Sequence, residues 1–171
     1  MKCKVCELIQ KKKRMVYEDD KIMALLAPKP CAVGHIWIVP KKHAPILEQI
    51  PDFVVANMFS KANKLSMICF ENLGVQGTNI LIQNGVAAGQ SNDHCILHVI
   101  PRQENDGMNL LWKPKQLNEE EMSTLELKIK EEAKNVGIFE KEQEKPIEEK
   151  KPEEVEDDSE DYMIKQLERI P

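Results

Sequence analysis

The sequence predicts an α+β fold: a five-stranded antiparallel sheet, one long helix packed across it and a second helix near the C-terminus. Two observations lead to this prediction. Short apolar runs bounded by glycine, proline or charged residues recur through the first hundred positions, as is typical of strands. Between the third and fourth runs, apolar residues instead recur at three- and four-residue steps, which is the period of a helix.

Three strands are predicted in the N-terminal part of the chain. The apolar runs at 15–17 and 22–26 are separated by charged residues, which is the pattern of a β-hairpin. A third run, at 35–39, is entered from Gly34 and stopped by Pro40. We expect these segments to form antiparallel strands.

One long helix is predicted to follow, beginning at Asp52 after a proline and ending at Leu73 before a glycine. Its apolar residues form one stripe at helical spacing: Val55, Met58, Phe59, Ala62, Leu65 and Cys69. We expect this stripe to face the sheet, because the apolar side of a helix must be buried against another element.

Two more strands are predicted at 78–83 and 93–100, on either side of a glycine-containing loop. Side chains on a strand alternate between its faces, so His94, Ile96 and His98 are expected to share one face. Taken alone, two histidines flanking an isoleucine indicate only a half-buried pair at a sheet edge.

A second helix is predicted from Asn118 and from Glu121 three residues later, which together form a capping box. Leu117 and Met122 are placed to form its hydrophobic staple. Its apolar face comprises Met122, Leu125, Ile129, Ala133 and Val136. Gly137 is expected to end it.

Acidic residues dominate the segment that follows. The net charge is −5, and residues 140–161 hold twelve acidic and four basic residues, which leaves +3 on the rest of the chain. We predict a disordered acidic linker at 139–161, because alternating Glu, Lys and Pro cannot bury enough apolar surface to order themselves. The nearly neutral body has no basic stripe, which argues against duplex nucleic acid as the main ligand.

The last ten residues, 162–171, form a short amphipathic motif. Its apolar residues fall on one helical face: Met163, Ile164, Leu167 and Ile170. So short a helix is marginal alone in water, which favours a groove on an unknown protein partner. The alternative is that the motif folds back on its own body or on a dimer mate.

The start of the chain bears on location and cofactor. Lysines are mixed with isolated apolar residues there, and no run of eighteen apolar residues occurs anywhere, so neither a signal peptide nor a membrane span fits. We expect a cytoplasmic protein. In a reduced compartment the pair Cys3-x-x-Cys6 favours a metal site over a disulfide, with zinc as the default ion. The alternative is a pair of free thiols.

Residues 84–102 resemble the signature of the histidine triad (HIT) family, which is an Asn-Gly loop, Gly-Gln-Ser and then His-φ-His-φ-His-φ-φ, where φ is apolar. In this chain Ile96 stands at the middle histidine. Other motifs follow the family's order and approximate spacing: Tyr-Glu-Asp-Asp-Lys at 17–21, Gly-His at 34–35 and Val-Pro-Lys-Lys-His-Ala at 39–44. The resemblance covers about 3–103.

The resemblance implies a structural zinc. Many HIT proteins hold the ion with an N-terminal Cys-x-x-Cys, the histidine of the Pro-Lys-Lys-His segment and the first triad histidine. The matching positions here are Cys3, Cys6, His43 and His94. Such a set suits tetrahedral zinc and leaves no open position for catalysis.

The resemblance also implies a loss of activity. In the family the middle histidine attacks the α-phosphorus of a nucleotide, and water then resolves the covalent intermediate. Ile96 has no lone pair for this attack, and Cys95 is expected on the opposite face. Where the family commonly has an aspartate that clamps the ribose hydroxyls, this chain has Ala27.

An anion could still bind. The residues that the resemblance places near a phosphate or the leaving group remain: Asn84, Gly89, Gln90, Ser91 and His98. Lys29 could strengthen such binding. We interpret His35 as structural, because it opens a strand beside Gly34, and Cys31 and Cys69 as small core residues.

These observations favour a catalytically silent nucleotide- or phosphate-binding protein, or an adaptor, on the HIT scaffold. The alternative is a divergent nucleotide phosphohydrolase or nucleotidyl transferase in which His98, Gln90 and a water act without a covalent intermediate. Family members commonly pair, so we expect a homodimer. We predict a HIT-like domain at 1–113 and an appended helix at 114–138, followed by the linker and the motif.

Overall fold

The computed structural model describes residues 3–134 and residue 136. The predicted linker and the C-terminal motif at 162–171 lie outside the described residues. The chain divides into two compact units, the first ending at Leu111 and the second beginning at Trp112. None of the helices in the described ranges is both long enough and apolar enough to span a bilayer.

Among the described residues, the first unit holds two α-helices and five strands, and the second unit holds one α-helix. In chain order the elements are α1 (Lys4–Lys11), β1 (Met15–Glu18), β2 (Ile22–Leu26), β3 (Ile36–Pro40), α2 (Asp52–Leu73), β4 (Gly77–Ile82), β5 (Leu97–Arg102) and α3 (Glu119–Ala133). The predicted fold class, an α+β protein with five antiparallel strands and two helices, is confirmed. Helix α1 was not predicted.

The sheet has the strand order β1-β2-β3-β5-β4, and every neighbouring pair is antiparallel. Alternate residues of the strands enter two separate cores. On one face Ile22, Ala24 and Ile38 pack with α2. On the other face Met23 and Leu25 pack with α1. The sheet is therefore covered on both faces, by α2 on one side and by the short α1 on the other.

The predicted stripe of α2 is correct except at one position. The buried residues of the helix are Val54, Met58, Ala62, Leu65 and Cys69. Phe59 is 45% exposed, so the expectation that it faces the sheet was wrong. The buried line runs through positions 54, 58 and 62, and Phe59 lies about 100° around the helix from Met58.

The predicted last strand begins four residues too early. Residues 93–96 lie outside the ladder, and the backbone N–H of Cys95 donates to the carbonyl of Ala44 at 2.7 Å. This bond leads the chain past the end of β3 before β5 begins at Leu97. The expected alternation still holds, because Cys95 is buried on the α2 side and Ile96 on the α1 side.

Helix α3 begins with the predicted capping box. The side-chain oxygen of Asn118 accepts from the backbone N–H of Glu121 at 2.8 Å, and the Glu121 carboxylate accepts from the backbone N–H of Asn118 at 3.1 Å. The predicted apolar face of the helix is exposed at Met122, Leu125 and Ile129.

Candidate metal centre and anion cavity

Four side chains from distant parts of the sequence converge at one end of the sheet. Cys3 precedes the first turn of α1 and Cys6 lies within it, His43 follows β3, and His94 precedes β5. One nitrogen or sulfur atom from each lies within 4.8 Å of the other three. These are the four residues that the resemblance implied as a set.

The spacing within this cluster fits one tetrahedral ion. The Cys6 Sγ atom lies 3.4 Å from His43 Nδ1 and 3.6 Å from His94 Nδ1, and Cys3 Sγ lies 3.7 Å from His94 Nδ1. The two Nδ1 atoms are 3.3 Å apart. Zinc bonds of about 2.3 Å to sulfur and about 2.0 Å to nitrogen give tetrahedral S–N and N–N separations of about 3.5 and 3.3 Å.

The His94 ring is oriented for ligation. Its Nε2 atom lies 2.9 Å from the carbonyl oxygen of Pro40. A carbonyl can only accept, so Nε2 carries the hydrogen and Nδ1 presents a lone pair to the cluster. The ring is 1% exposed, so it has no alternative partner in water.

A second histidine pair lies beside the first. His35 Nε2 is 3.0 Å from His98 Nδ1, and the backbone N–H of Cys31 donates to His35 Nδ1 at 3.3 Å. Because that N–H can only donate, the hydrogen of His35 is on Nε2 and is donated to His98. The hydrogen of His98 is then on its own Nε2. His98 can therefore donate a hydrogen bond from Nε2.

Both rings of this pair are neutral near pH 7. Burial, followed by the effect of the neighbouring His35 ring, lowers the pKa of His98 to about 4. Burial also lowers the pKa of His35. The sequence-based interpretation of His35 as purely structural missed this contact. Cys31 is exposed and its Sγ lies 3.3 Å from His35 Nδ1, so the expectation that it is a core residue was wrong, whereas Cys69 is buried as expected.

An open cavity of about 640 Å³ lies over these histidines. Trp37, Ile96 and His98 come from the sheet side, and the loop residues that line it include Gln90 and Ser91. Helix α1 also lines the cavity. This contribution was missed from the sequence, although apolar residues at positions 5, 8 and 9 were a short signal for a helix.

Two residues implied as phosphate ligands are engaged within the protein. The amide of Asn84 donates to the Glu48 carboxylate at 2.7 Å and accepts from the backbone N–H of Leu47 at 3.0 Å. Gln90 accepts from Gly85 N–H at 2.7 Å and donates to two backbone carbonyls. Both side chains therefore anchor the loop, and direct contact with a ligand stays a prediction.

The loop turns at Gly89, where φ is +88°. L-residues with side chains rarely adopt this backbone conformation, so the position favours glycine. The turn places Ser91 at the edge of the cavity, with its hydroxyl oxygen accepting from Asn92 at 3.2 Å. The hydroxyl hydrogen of Ser91 can therefore be offered to an anion.

Ile96 is 5% exposed and lines the cavity next to His98. It belongs to the smaller core, where it packs with Val5 of α1 and with Leu25 and Val39 of the sheet. The side chain thus packs between α1 and the sheet, and only its carbon atoms line the cavity.

Comparison with known protein families gives a match to the HIT domain over residues 9–105. The adenylylsulfatase HINT3 of Arabidopsis thaliana is 38% identical over 117 residues, which cover 67% of this chain and 58% of that protein. The adenosine 5'-monophosphoramidase HNT1 of Candida albicans is 32% identical over 124 residues, covering 70% of this chain and 82% of that protein. The chain therefore spans somewhat more than half of the first relative.

Solved structures give a similar result. A member of the HIT family from Bacillus subtilis superposes with a TM-score of 0.70 at 27% identity, covering 77% of this chain and 96% of that one. A zinc-bound histidine triad family protein from Mycobacterium smegmatis gives a TM-score of 0.60 at 28% identity, covering 78% and 97%.

Proposed function

The chain belongs to the HIT domain family, and we propose that it is a catalytically silent, zinc-containing member that binds a nucleotide or another phosphate-bearing anion. The observation that carries the proposal is the burial of Ile96, a side chain without a nucleophilic atom, in the smaller core that also holds Val5 of α1. The resemblance assigns this residue to the middle triad position. An adaptor role for the C-terminal motif remains part of this proposal.

Neither neighbouring side chain is placed to replace the missing nucleophile. Cys95 is buried among the side chains that pack under α2, on the other face of the sheet. His98 carries its hydrogen on Nε2, because its Nδ1 accepts from His35. In that state it can donate to a bound oxygen but cannot take a proton from water.

Slow hydrolysis is the second candidate function, favoured because similar proteins bear the names of an adenylylsulfatase and a phosphoramidase. It would require His98 to act as a base through its other tautomer. In that tautomer His98 would donate from Nδ1 to His35 Nε2, so the hydrogen of His35 would have to be on Nδ1. The backbone N–H of Cys31 opposes this arrangement, because it donates to His35 Nδ1.

Turnover assays with an adenosine phosphoramidate and with a dinucleoside polyphosphate distinguish the catalytically silent protein from the slow hydrolase. We expect wild-type protein to give no more product than His98→Ala and to form no nucleotidylated intermediate. Ile96→His, assayed in parallel, reports whether restoring the nucleophile is sufficient. Wild-type hydrolysis that disappears in His98→Ala would support the divergent enzyme instead.

We propose zinc as the ion held by Cys3, Cys6, His43 and His94. The support is the fit of the four ligand atoms to tetrahedral zinc and the similarity to a zinc-bound relative. The ion would be structural, since four protein ligands leave no coordination position open. Metal analysis of the purified protein is expected to give one zinc per chain.

We also propose a homodimer. In the first unit the outer face of α2 exposes Phe53, Phe59, Met67 and Phe70, and β4 is an edge strand of the sheet. A second copy that pairs along β4 would cover both features. Light scattering coupled to size-exclusion chromatography is expected to give twice the chain mass, and Met67→Glu is expected to shift the protein toward the monomer.

A further inference from the structure

The two sulfur ligands of the proposed metal centre lie one helical turn apart at the start of α1. The carbonyl of Cys3 accepts from the backbone N–H of Glu7 at 3.2 Å, so Cys3 takes part in the first turn, and Cys6 lies within it. Residues three apart in a helix have Cα atoms about 5 Å apart, which is inside the range of about 4.4–6.8 Å that a disulfide requires. The two Sγ atoms lie within 4.8 Å of each other. The pair can therefore close a disulfide with little movement of the backbone.

The other three cysteines lie away from this pair. Cys69 and Cys95 are buried in the larger core, on the face of the sheet that α2 covers. Burial raises the pKa of Cys69 and raises that of Cys95 to about 11, so both stay as unreactive thiols. Cys31 is exposed and lies outside the Cys and His cluster. An intramolecular disulfide is therefore expected between Cys3 and Cys6.

Metal binding would hold this pair in its reactive form. A zinc ligand is a thiolate, and the thiolate is the nucleophile that reacts with oxidants. Cys3 and Cys6 are both partly exposed, so a small oxidant can reach them. They are also the two anionic ligands of the set, because the other two are imidazoles. One disulfide removes both thiolates together and leaves fewer than the four ligands of a structural zinc.

We infer that Cys3 and Cys6 form an oxidisable dithiol whose substrate is a hydroperoxide, and that their conversion to a disulfide releases the zinc. One thiolate attacks a peroxide oxygen; the O–O bond breaks, an S–O bond forms, and the departing oxyanion takes a proton from solvent. The second thiolate attacks the resulting sulfenic acid, forms the S–S bond and expels hydroxide, which a second solvent proton converts to water. The sulfur atoms lose two electrons and the peroxide gains them. This inference rests on the proposed zinc site.

Oxidation would change how α1 is held. The disulfide lies within the helix segment and makes no link to His43 or His94, so α1 keeps only its contacts in the small core around Val5. Because α1 also lines the cavity, the oxidation state of the pair acts on one wall of that cavity. A partly exposed disulfide is readily reduced, so the change is expected to be reversible.

Hydrogen peroxide titration of the full-length, zinc-loaded protein tests the inference. A chromophoric chelator measures the zinc that is released, and mass spectrometry of peptides locates the disulfide. We expect one zinc to be released for each Cys3–Cys6 disulfide formed. Dithiothreitol with added zinc is expected to restore the bound metal, because a disulfide is reducible whereas a sulfinic acid is not. Trypsin cleavage at the exposed basic residues 12–14 should accelerate on oxidation and slow again on reduction.

Cys31→Ser is the matched control, because it removes an exposed thiol that lies outside the cluster. This variant is expected to release zinc at the wild-type rate and to form the same disulfide. Loss of zinc release in Cys31→Ser would contradict the inference, since the oxidant would then act through Cys31.

The remaining outcomes separate the inference from the proposed zinc site. Zinc that stays bound while peroxide oxidises Cys31 overturns the dithiol and leaves the zinc site intact. The same conclusion follows if zinc is released but Cys3 and Cys6 are recovered as sulfinic acids or joined to a second chain. Purified, reduced protein that contains no zinc overturns both the zinc site and the inference.

Discussion

At the scale of single residues, a chain of hydrogen bonds determines which ring nitrogens of His35 and His98 carry a hydrogen. It runs from the backbone of Cys31 through His35 to His98. Because each ring accepts at Nδ1, only its Nε2 atom can donate. Burial keeps both rings neutral. An anion in the proposed site would therefore meet a neutral donor at His98, whereas the positive charge of the cavity lining comes from its lysines.

The depressed pKa of His98 predicts an acid-sensitive stability. The folded pKa of about 4 lies below the ordinary value of 6.5. Between these values the unfolded chain binds a proton that the folded chain excludes, so stability is retained above pH 6.5 and is lost as the pH falls toward 4. We expect a loss on the order of 2 kcal/mol by about pH 4.5.

Urea unfolding at several pH values measures this effect against His98→Gln, which cannot titrate but can still accept from His35. Protonation of the metal ligands and of carboxylates acts on both proteins and cancels in the difference. The wild type is expected to have the steeper loss. Parallel stability curves would show that His98 is not buried in its neutral form.

Ile96 is expected to contribute stability as well as to block catalysis. Truncating a buried isoleucine to alanine leaves a cavity, so Ile96→Ala should lower the free energy of unfolding by about 2–4 kcal/mol. Ile129→Ala on α3, where the side chain is 67% exposed, is the matched control and should cost less than about 1 kcal/mol. Chemical denaturation compares the two, and equal effects would contradict the packing of Ile96 against α1.

At the scale of elements, the hairpin of β1 and β2 is tied to α2 through one carboxylate. Asp19 accepts from the backbone N–H groups of Lys21 and Ile22 at 2.9 and 2.8 Å, and from the side chain of Asn57 on α2 at 2.9 Å. Burial alone would raise the pKa of Asp19. The hydrogen bonds outweigh it, led by the one from Asn57, and lower this pKa to about 2.

Replacing this carboxylate should loosen the hairpin. Asp19→Ala leaves several donors without an acceptor, and we expect it to lower the free energy of unfolding by about 1–3 kcal/mol. Asp20→Ala, an exposed neighbour in the same turn, should have little effect. Denaturation midpoints of the two variants provide the measurement, and a similar cost at both positions would mean that the hydrogen bonds of Asp19 do not stabilise the fold.

The sequence predicted those elements whose pattern is long or bounded by strong turn signals. Helix α2 and strands β2 and β3 were predicted within a residue or two. Helix α1 was missed because only Val5, Leu8 and Ile9 indicate it, within eight residues that also contain the candidate metal ligand Cys6. The start of β5 was placed too early because apolar alternation continues through residues 93–96, and only the tertiary bond from Cys95 to Ala44 interrupts the ladder.

The parts of the candidate site that follow from residue types and their spacing in the sequence were predictable. The parts that follow from side-chain contacts between strands and helices were not. The four clustered Cys and His residues were named from the family's spacing. The pairing of His35 with His98 required the register of β3 against β5, in which Trp37 lies opposite His98. The lysines of α1 could be placed in the cavity only once that helix was known to exist.

At the scale of the whole molecule, the Cys and His cluster connects the N-terminal segment around α1 to the sheet. Cys3 precedes α1 and Cys6 lies within it, whereas His43 and His94 belong to the segments flanking β3 and β5. Apart from the proposed metal ligands, α1 contacts the sheet through a small core around Val5. An eight-residue helix is too short to persist alone in water, so its order depends on these two attachments.

Removal of the metal is therefore expected to release α1 and to lower the stability of the whole domain. Since metal binding energy is available only to the folded state, a strong chelator should lower the melting temperature, and Cys6→Ser should have the same effect without chelator. Trypsin reports the release of α1, because the exposed basic residues at 12–14 follow the helix directly. Cleavage there should accelerate in the metal-free protein. Cys31→Ser is the matched control, since that thiol lies outside the cluster. A melting temperature and a cleavage rate that are both indifferent to the chelator would show that α1 is held by its apolar contacts alone.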